Sequence, residues 1–215
     1  MANVQHIIPL ILKQEGGLSR ALTDTASAHP APWEFNSKTG WHTNKGVTYT
    51  TFSSLAPKLG YAITADNFFT MPEPIWVKIF KNGYWDPMHC DEIKSQAMAD
   101  AIVDYAWAFG VGGATSRIKK WLSSTYAITA NSNSEIATAI NALTAKNEED
   151  TFSKFMIHRK AAFAALKQPA NEKGWFARMD ALTKQGLSIL SDNKGTTAIV
   201  FFLVWLRFAI TTVSL

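Results

Sequence analysis

Cysteine is almost absent: Cys90 stands alone in 215 residues. A disulfide within the chain is excluded, and so is a zinc site built from several thiolates. A lone thiol fits a free cysteine in a reducing compartment. The five histidines, at 6, 29, 42, 89 and 158, lack the HExxH spacing of a zinc hydrolase. No Walker loop and no glycine-rich dinucleotide fingerprint occurs. Charged residues make up 18% of the chain and form no long run of one sign. That scatter argues against a nucleic-acid partner. The N-terminal stretch MANVQHIIPLILKQEGG has no basic n-region, and Pro9 interrupts its apolar part before Lys13 and Glu15. The expectation is synthesis in the cytoplasm without a signal peptide.

What is present reads as helix. The length suits one domain, or a catalytic lobe with a helical extension, and can bury a core without disulfides. Ile7, Ile8, Ile11 and Leu12 recur at helical spacing, so a first helix runs to about Glu15, where Gly16-Gly17 is expected to stop it through a left-handed glycine. Residues 18–47 are rich in Pro, Gly, Ser, Thr and Asn and read as irregular or short β structure. Further helices are expected at 50–60, from Thr64 or Asp66 to 70, and over EPIWVKIFKNGYW, ending at Asn82-Gly83. SQAMADAIVDYAWAFG is the next, with Met98, Ile102, Tyr105 and Ala106 on one stripe and Gly110 after it. GVGG at 110–113 reads as a turn, followed by helices near 114–123, 133–145, 148–166 and 173–190. The fold class is mainly α, with a small β or loop region near residues 18–50. Residues 1–110 carry 8 basic and 10 acidic groups, and residues 111–195 carry 12 and 7. The basic second part favours an anionic partner such as cell-wall polymer, nucleic acid or lipid headgroups.

Residues 196–215, TTAIVFFLVWLRFAITTVSL, differ in composition from the rest. Twenty helical residues span about 30 Å, the thickness of a bilayer core. Arg207 near the middle costs about 2.5–3.5 kcal/mol on an insertion scale, and the Leu, Ile, Phe and Val residues return about 0.3–0.6 kcal/mol each, so the sum is marginal to favourable. The expectation is a membrane-contacting tail, a candidate transmembrane helix that holds the protein at the inner membrane. Lys184 and Lys194 precede it and no Lys or Arg follows, which would keep the domain cytoplasmic. The alternative is a C-terminal helix packed on the domain.

Two constellations could carry chemistry. The first is Glu15-Gly16-Gly17. A general acid must hold a proton at working pH, and a helix C-terminus together with flanking Leu12 and Leu18 favours the neutral carboxyl. The glycines remove bulk, so a chain of sugars could approach the backbone. A solvated surface carboxylate fits the same residues. The second is His42-Thr43-Asn44-Lys45-Gly46-Val47-Thr48, a polar, turn-rich run whose hydroxyls and amide could bind sugar hydroxyls, or an ordinary turn. Asp24 follows Glu15 across the glycine turn and could face the same cleft. Asp104, beside Ile102 and Val103, needs a buried partner. His42 could contact substrate, though a lone loop histidine is more often simply solvated. Trp33, Trp41, Trp85 and Trp107 offer a sugar platform if they do not belong to the core.

Glu15-Gly16-Gly17, Asp24 and Thr43-Asn44-Lys45-Gly46-Val47-Thr48 resemble the N-terminal signature of glycoside hydrolase family 108. Tyr84-Trp85-Asp86-Pro87, the Asp104-Tyr105-Ala106…Gly110 helix, Arg159 and Gly174-Trp175…Arg178 resemble later segments in the same order. The resemblance implies a lysozyme-like helical fold, with a catalytic region at 5–110 and a helical peptidoglycan-binding region at 111–190. It implies an N-acetylmuramidase cutting the β-1,4 bond from N-acetylmuramic acid to N-acetylglucosamine, as a phage or prophage endolysin or in secretion-associated wall remodelling. Glu15 is then the catalytic acid, with Asp24 the candidate second carboxylate and Thr43, Asn44 and Thr48 the candidate substrate contacts. No metal or organic cofactor is implied. The sequence departs from the family between Asp24 and Gly40, where His29-Pro30-Ala31-Pro32-Trp33 is extra, and at Ala108, where the family often has Asn. These departures leave open a non-catalytic wall-binding module on the same fold. The oligomeric state is not legible.

Overall fold

The structure is a computed structural model that describes residues 1–194. The expected membrane tail at 196–215 lies outside the described residues. Among those described, no helix is long and apolar enough to cross a membrane.

The N-terminal turn Val4–His6 is capped by the Asn3 side chain, and helix α1 (Ile8–Gln14) follows, with Pro9 in its first turn where a missing N–H costs nothing. Ile7, Ile8 and Ile11 are buried. Each such side chain contributes about 1.5–3 kcal/mol when fully buried. Glu15 is the C-cap, with extended backbone at φ −78° and ψ 135°. The helix therefore ends because Glu15 itself leaves helical geometry. Neither Gly16 nor Gly17 is left-handed, contrary to the expected stop. Both glycines have open space where a side chain would stand.

Strands β1 (Thr43–Asn44) and β2 (Val47–Thr48) form a minimal hairpin, pairing Thr43 with Thr48 and Asn44 with Val47. Its two-residue turn needs positive φ at both positions. Gly46 takes φ +76° freely, while Lys45 takes φ +46°. Lys45 is anchored there: its Nζ donates to the Met71 carbonyl at 2.9 Å, and its own carbonyl accepts from Trp76 Nε1 at 2.9 Å. Helices α2 (Tyr49–Leu55), α3 (Ala65–Thr70) and α4 (Glu73–Phe80) follow, with Thr48 and Thr64 as side-chain N-caps of the first two. The expected stop at Asn82-Gly83 is instead a π-helical turn over Lys81–Trp85.

Three long helices complete the fold: α5 (Gln96–Tyr126), α6 (Asn133–Ala164) and α7 (Pro169–Lys194), each packed on the other two. The first part of α5 is central, with every residue from 97 to 106 buried. Gly110 breaks its helical path at φ 71° and ψ 159°, where a turn is expected, and Asn147 breaks α6 between the expected segments. The fold is mainly α, and the one two-stranded sheet among the described residues lies within the expected β region. A single cluster of buried residues runs from Ala2 to Leu190.

Candidate active site

Position 15 is fixed by α1 below it and by α5, α7 and the hairpin turn around it. The side chain of Glu15 is only 15% exposed. Its Oε1 accepts from Trp107 Nε1 at 2.7 Å and from Arg178 Nη1 at 2.7 Å. Its Oε2 lies against Gly46. A Cβ at that glycine would collide with Oε2 and stand 2.6 Å from Trp107 Cζ2. The hairpin turn is thus shaped by the carboxyl it covers.

Trp107 closes one side. Its ring packs against Tyr84 at a centroid distance of 4.7 Å, against Phe80 at 5.3 Å and against Trp76 at 5.6 Å. Burial, with the Glu15 charge adding to it, raises the pKa of the Tyr84 hydroxyl against the opposing pull of a hydrogen bond with Thr51. Behind the carboxyl runs a series of alternating charges. Arg178 Nε donates to Asp104 Oδ1 at 2.8 Å, and Arg159 Nη2 donates to Asp104 Oδ2 at 2.5 Å. Burial opposes the charge on Asp104, yet the two guanidiniums outweigh it and hold its pKa below the usual carboxylate value. Burial likewise opposes the Arg178 charge, and Asp104 and Glu15 outweigh it, so that its pKa is raised. The buried partner expected for Asp104 is present, and it is an ion pair with two guanidiniums.

The other residues singled out in the sequence have distinct settings. Asp24 is exposed and caps the short turn Thr25–Ala28, accepting from the Ala26 N–H at 2.9 Å. Its segment is tied to the hairpin, because the Ser19 N–H donates to the Thr43 carbonyl at 2.8 Å. Asn44 is buried, and its Nδ2 donates to the carbonyls of Phe68 at 2.8 Å and Phe69 at 2.9 Å. That amide clamps α3 to the hairpin rather than facing a cleft. Thr48 is half-buried, with its hydroxyl donating to Thr51 Oγ1 at 3.0 Å and accepting from the Thr51 N–H. The half-buried Thr43 lies 2.9 Å through Oγ1 from His42 Nδ1. His42, expected in solvent, is fully buried, with Nε2 3.2 Å from the Ala21 carbonyl. Of the four candidate tryptophans, Trp107 reaches Glu15. Trp85 is core, Trp33 packs edge-on against Tyr49, and Trp41 donates to the Lys38 carbonyl.

The extra segment after Asp24 helps to wall a cavity of about 460 Å³, lined by Ala28, His29, Pro30, Tyr49, Thr50 and Ser53. Among the described residues no group of three or more His, Cys, Asp or Glu is placed to hold a metal ion.

Residues 8–110 match the family model Glycosyl hydrolase 108. That segment belongs to glycosyl hydrolase family 108. The family 108 segment includes Glu15, the hairpin and Trp107, and it stops at the break in α5. The glycoside hydrolase match is thus confined to residues 8–110. No curated protein matches it. The structure of Brucella abortus SagA is similar in fold, with a TM-score of 0.59 at 16% identity, covering 86% of this chain and 94% of SagA. The shared fold thus reaches well beyond the family 108 segment.

Proposed function

We propose that the protein hydrolyses peptidoglycan as a lysozyme-type N-acetylmuramidase, with Glu15 as general acid. The observation that carries this is the setting of Glu15: a mostly buried carboxyl held by Trp107 and Arg178 and covered by the Gly46 turn, within a family 108 segment. Oε1 already accepts two N–H groups, so the transferable proton belongs on Oε2. It passes to the glycosidic oxygen as the bond from that oxygen to the anomeric carbon breaks, and Glu15 is left as a carboxylate. Asp24 is proposed as the second carboxylate, activating water or supporting positive charge on the sugar ring. Thr43 and Thr48 are proposed to border the glycan strand, with Asn44 holding the hairpin that carries them. The cavity lined by Tyr49, Thr50 and Ser53 has hydroxyl-bearing side chains and no carboxylate or ammonium among its lining residues, which suits a neutral sugar. The helices after Gly110 are proposed to add wall contact through their basic balance. The biological settings that fit are endolysin action and secretion-associated wall remodelling.

The test is hydrolysis of purified sacculi by the full chain. Soluble muropeptides ending in reducing muramic acid are expected by mass analysis. Glu15→Gln is expected to lose at least about 100-fold in rate, the scale of a general acid. Release of strands ending in reducing N-acetylglucosamine would overturn the bond assignment. Undiminished turnover by Glu15→Gln would overturn the mechanism. Wall binding without turnover by the parent chain would favour the binding-module alternative.

A further inference from the structure

We infer that Arg178 is a positioning residue for the acid step, so that α7, outside the matched family segment, completes the active site. The inference rests on the assignment of Glu15 as the acid. Its starting point is a second guanidinium on Asp104, behind the site. Asp104 is fully buried and needs a cation, and the fully buried Arg159 already supplies one at 2.5 Å. A second guanidinium is not required to neutralise one carboxylate. Arg178 nevertheless contacts Asp104 through Nε at 2.8 Å and Nη2 at 2.6 Å, and directs its remaining edge, Nη1, at Glu15 Oε1 at 2.7 Å.

A planar guanidinium can hold two carboxylates at a fixed angle, which a lysine cannot do. Asp104 orients the fork, and the fork orients Glu15. Two consequences follow for proton transfer. Trp107 and Arg178 occupy Oε1, which leaves Oε2, beside Gly46, as the oxygen from which the proposed acid transfers its proton. As that proton leaves, negative charge develops on Glu15, and the cation that stabilises it is already in contact. Preorganised charge of this kind acts on the transition state more than on bound substrate. The effect belongs in kcat rather than in KM.

The experiment measures kcat and KM of the full chain on solubilised, uncrosslinked peptidoglycan strands, for the parent, Arg178→Met, Arg178→Lys, Leu182→Ala and Glu15→Gln. Leu182 is a buried apolar residue of the same helix, 1% exposed, with no polar group to offer the site. Arg178→Met is expected to lower kcat roughly 10- to 1,000-fold, with KM within about twofold. Arg178→Lys restores part of kcat, because charge returns without the fork. Leu182→Ala lowers the melting temperature and, measured below it, keeps kcat within about twofold. A parent-like kcat in Arg178→Met overturns the inference, as does an equal kcat loss in folded Leu182→Ala. Should Arg178→Met fail to fold, a parent-like kcat in Arg178→Lys overturns it. Activity retained by Glu15→Gln refutes the acid assignment itself. An inactive Glu15→Gln beside a fully active Arg178→Met refutes the role of Arg178 alone.

Discussion

A methyl group at position 46 would stand inside contact distance of both the Glu15 carboxyl and the Trp107 ring, on a backbone whose φ of +76° L-residues rarely adopt. Gly46→Ala is therefore expected to disturb the acid before it disturbs the fold. Strain at such a position costs on the order of 1–3 kcal/mol, and turnover on sacculi should fall by at least about tenfold with a native far-ultraviolet spectrum. Gly46 and Glu15 were both legible in the sequence, since each stands in a short run whose spacing carries the family resemblance. Their partners were not. Trp107 and Arg178 lie 92 and 163 residues from Glu15, and no local pattern reports such contacts. A partial signal existed on α5, where Asp104 and Trp107, three apart, share a helix face. Asn44 and His42 failed in the opposite direction. A polar, turn-rich run reads as surface, yet both side chains are buried because neighbouring carbonyls accept their N–H groups or lie beside their ring nitrogens.

The helices themselves were largely legible, because apolar residues recur every three or four positions. Their ends were less so. Helix α4 passes through Asn82-Gly83 as a π turn, and Gly83 faces the α2 side chain Leu55, whose Cδ1 would stand 2.9 Å from an added Cβ. Tertiary packing there overrides a local stop signal. The α6–α7 crossing depends on another glycine. A Cβ at Gly186 would overlap the ring of Phe152, with Cε1 and Cε2 each at 2.8 Å, and Phe152 is fully buried. Gly186→Ala raises intrinsic helix propensity by about 0.5–1 kcal/mol, but overpacking costs about 1–3 kcal/mol. The net expectation is a lower urea midpoint. A raised midpoint would show that the two helices can separate at no cost.

At the scale of the molecule, the residues flanking α1 share a polar seam of two rungs with α5 and α7. At one end Asp100, buried in α5, meets His6 Nδ1 at 2.7 Å and Gln185 Nε2 at 3.4 Å. At the other, Asp104 and Trp107 meet Arg178 and Glu15. Burial raises the pKa of Asp100 from 3.8 to about 6, against the pull of its Gln96, His6 and Gln185 partners. The fold thus favours its neutral form. Its stabilising contribution is complete below about pH 4 and is lost as pH rises through 6. Asp100→Asn keeps a neutral group at every pH, so the parent is expected to gain on it by up to about 3 kcal/mol as pH falls from 7.5 to 4. Urea titrations at the two pH values check this, and a parent advantage that grows with pH would reverse the assignment.

The Glu15–Arg178 contact joins residues 163 positions apart, which gives it a consequence in time as well as in space. Synthesis releases the chain from its N-terminal end, so α1 leaves the ribosome long before α7. A nascent chain has its carboxyl early but gains the partnering guanidinium only after nearly all of the described fold has emerged. On the roles proposed above, the acid therefore meets its positioning partner only when synthesis is nearly complete.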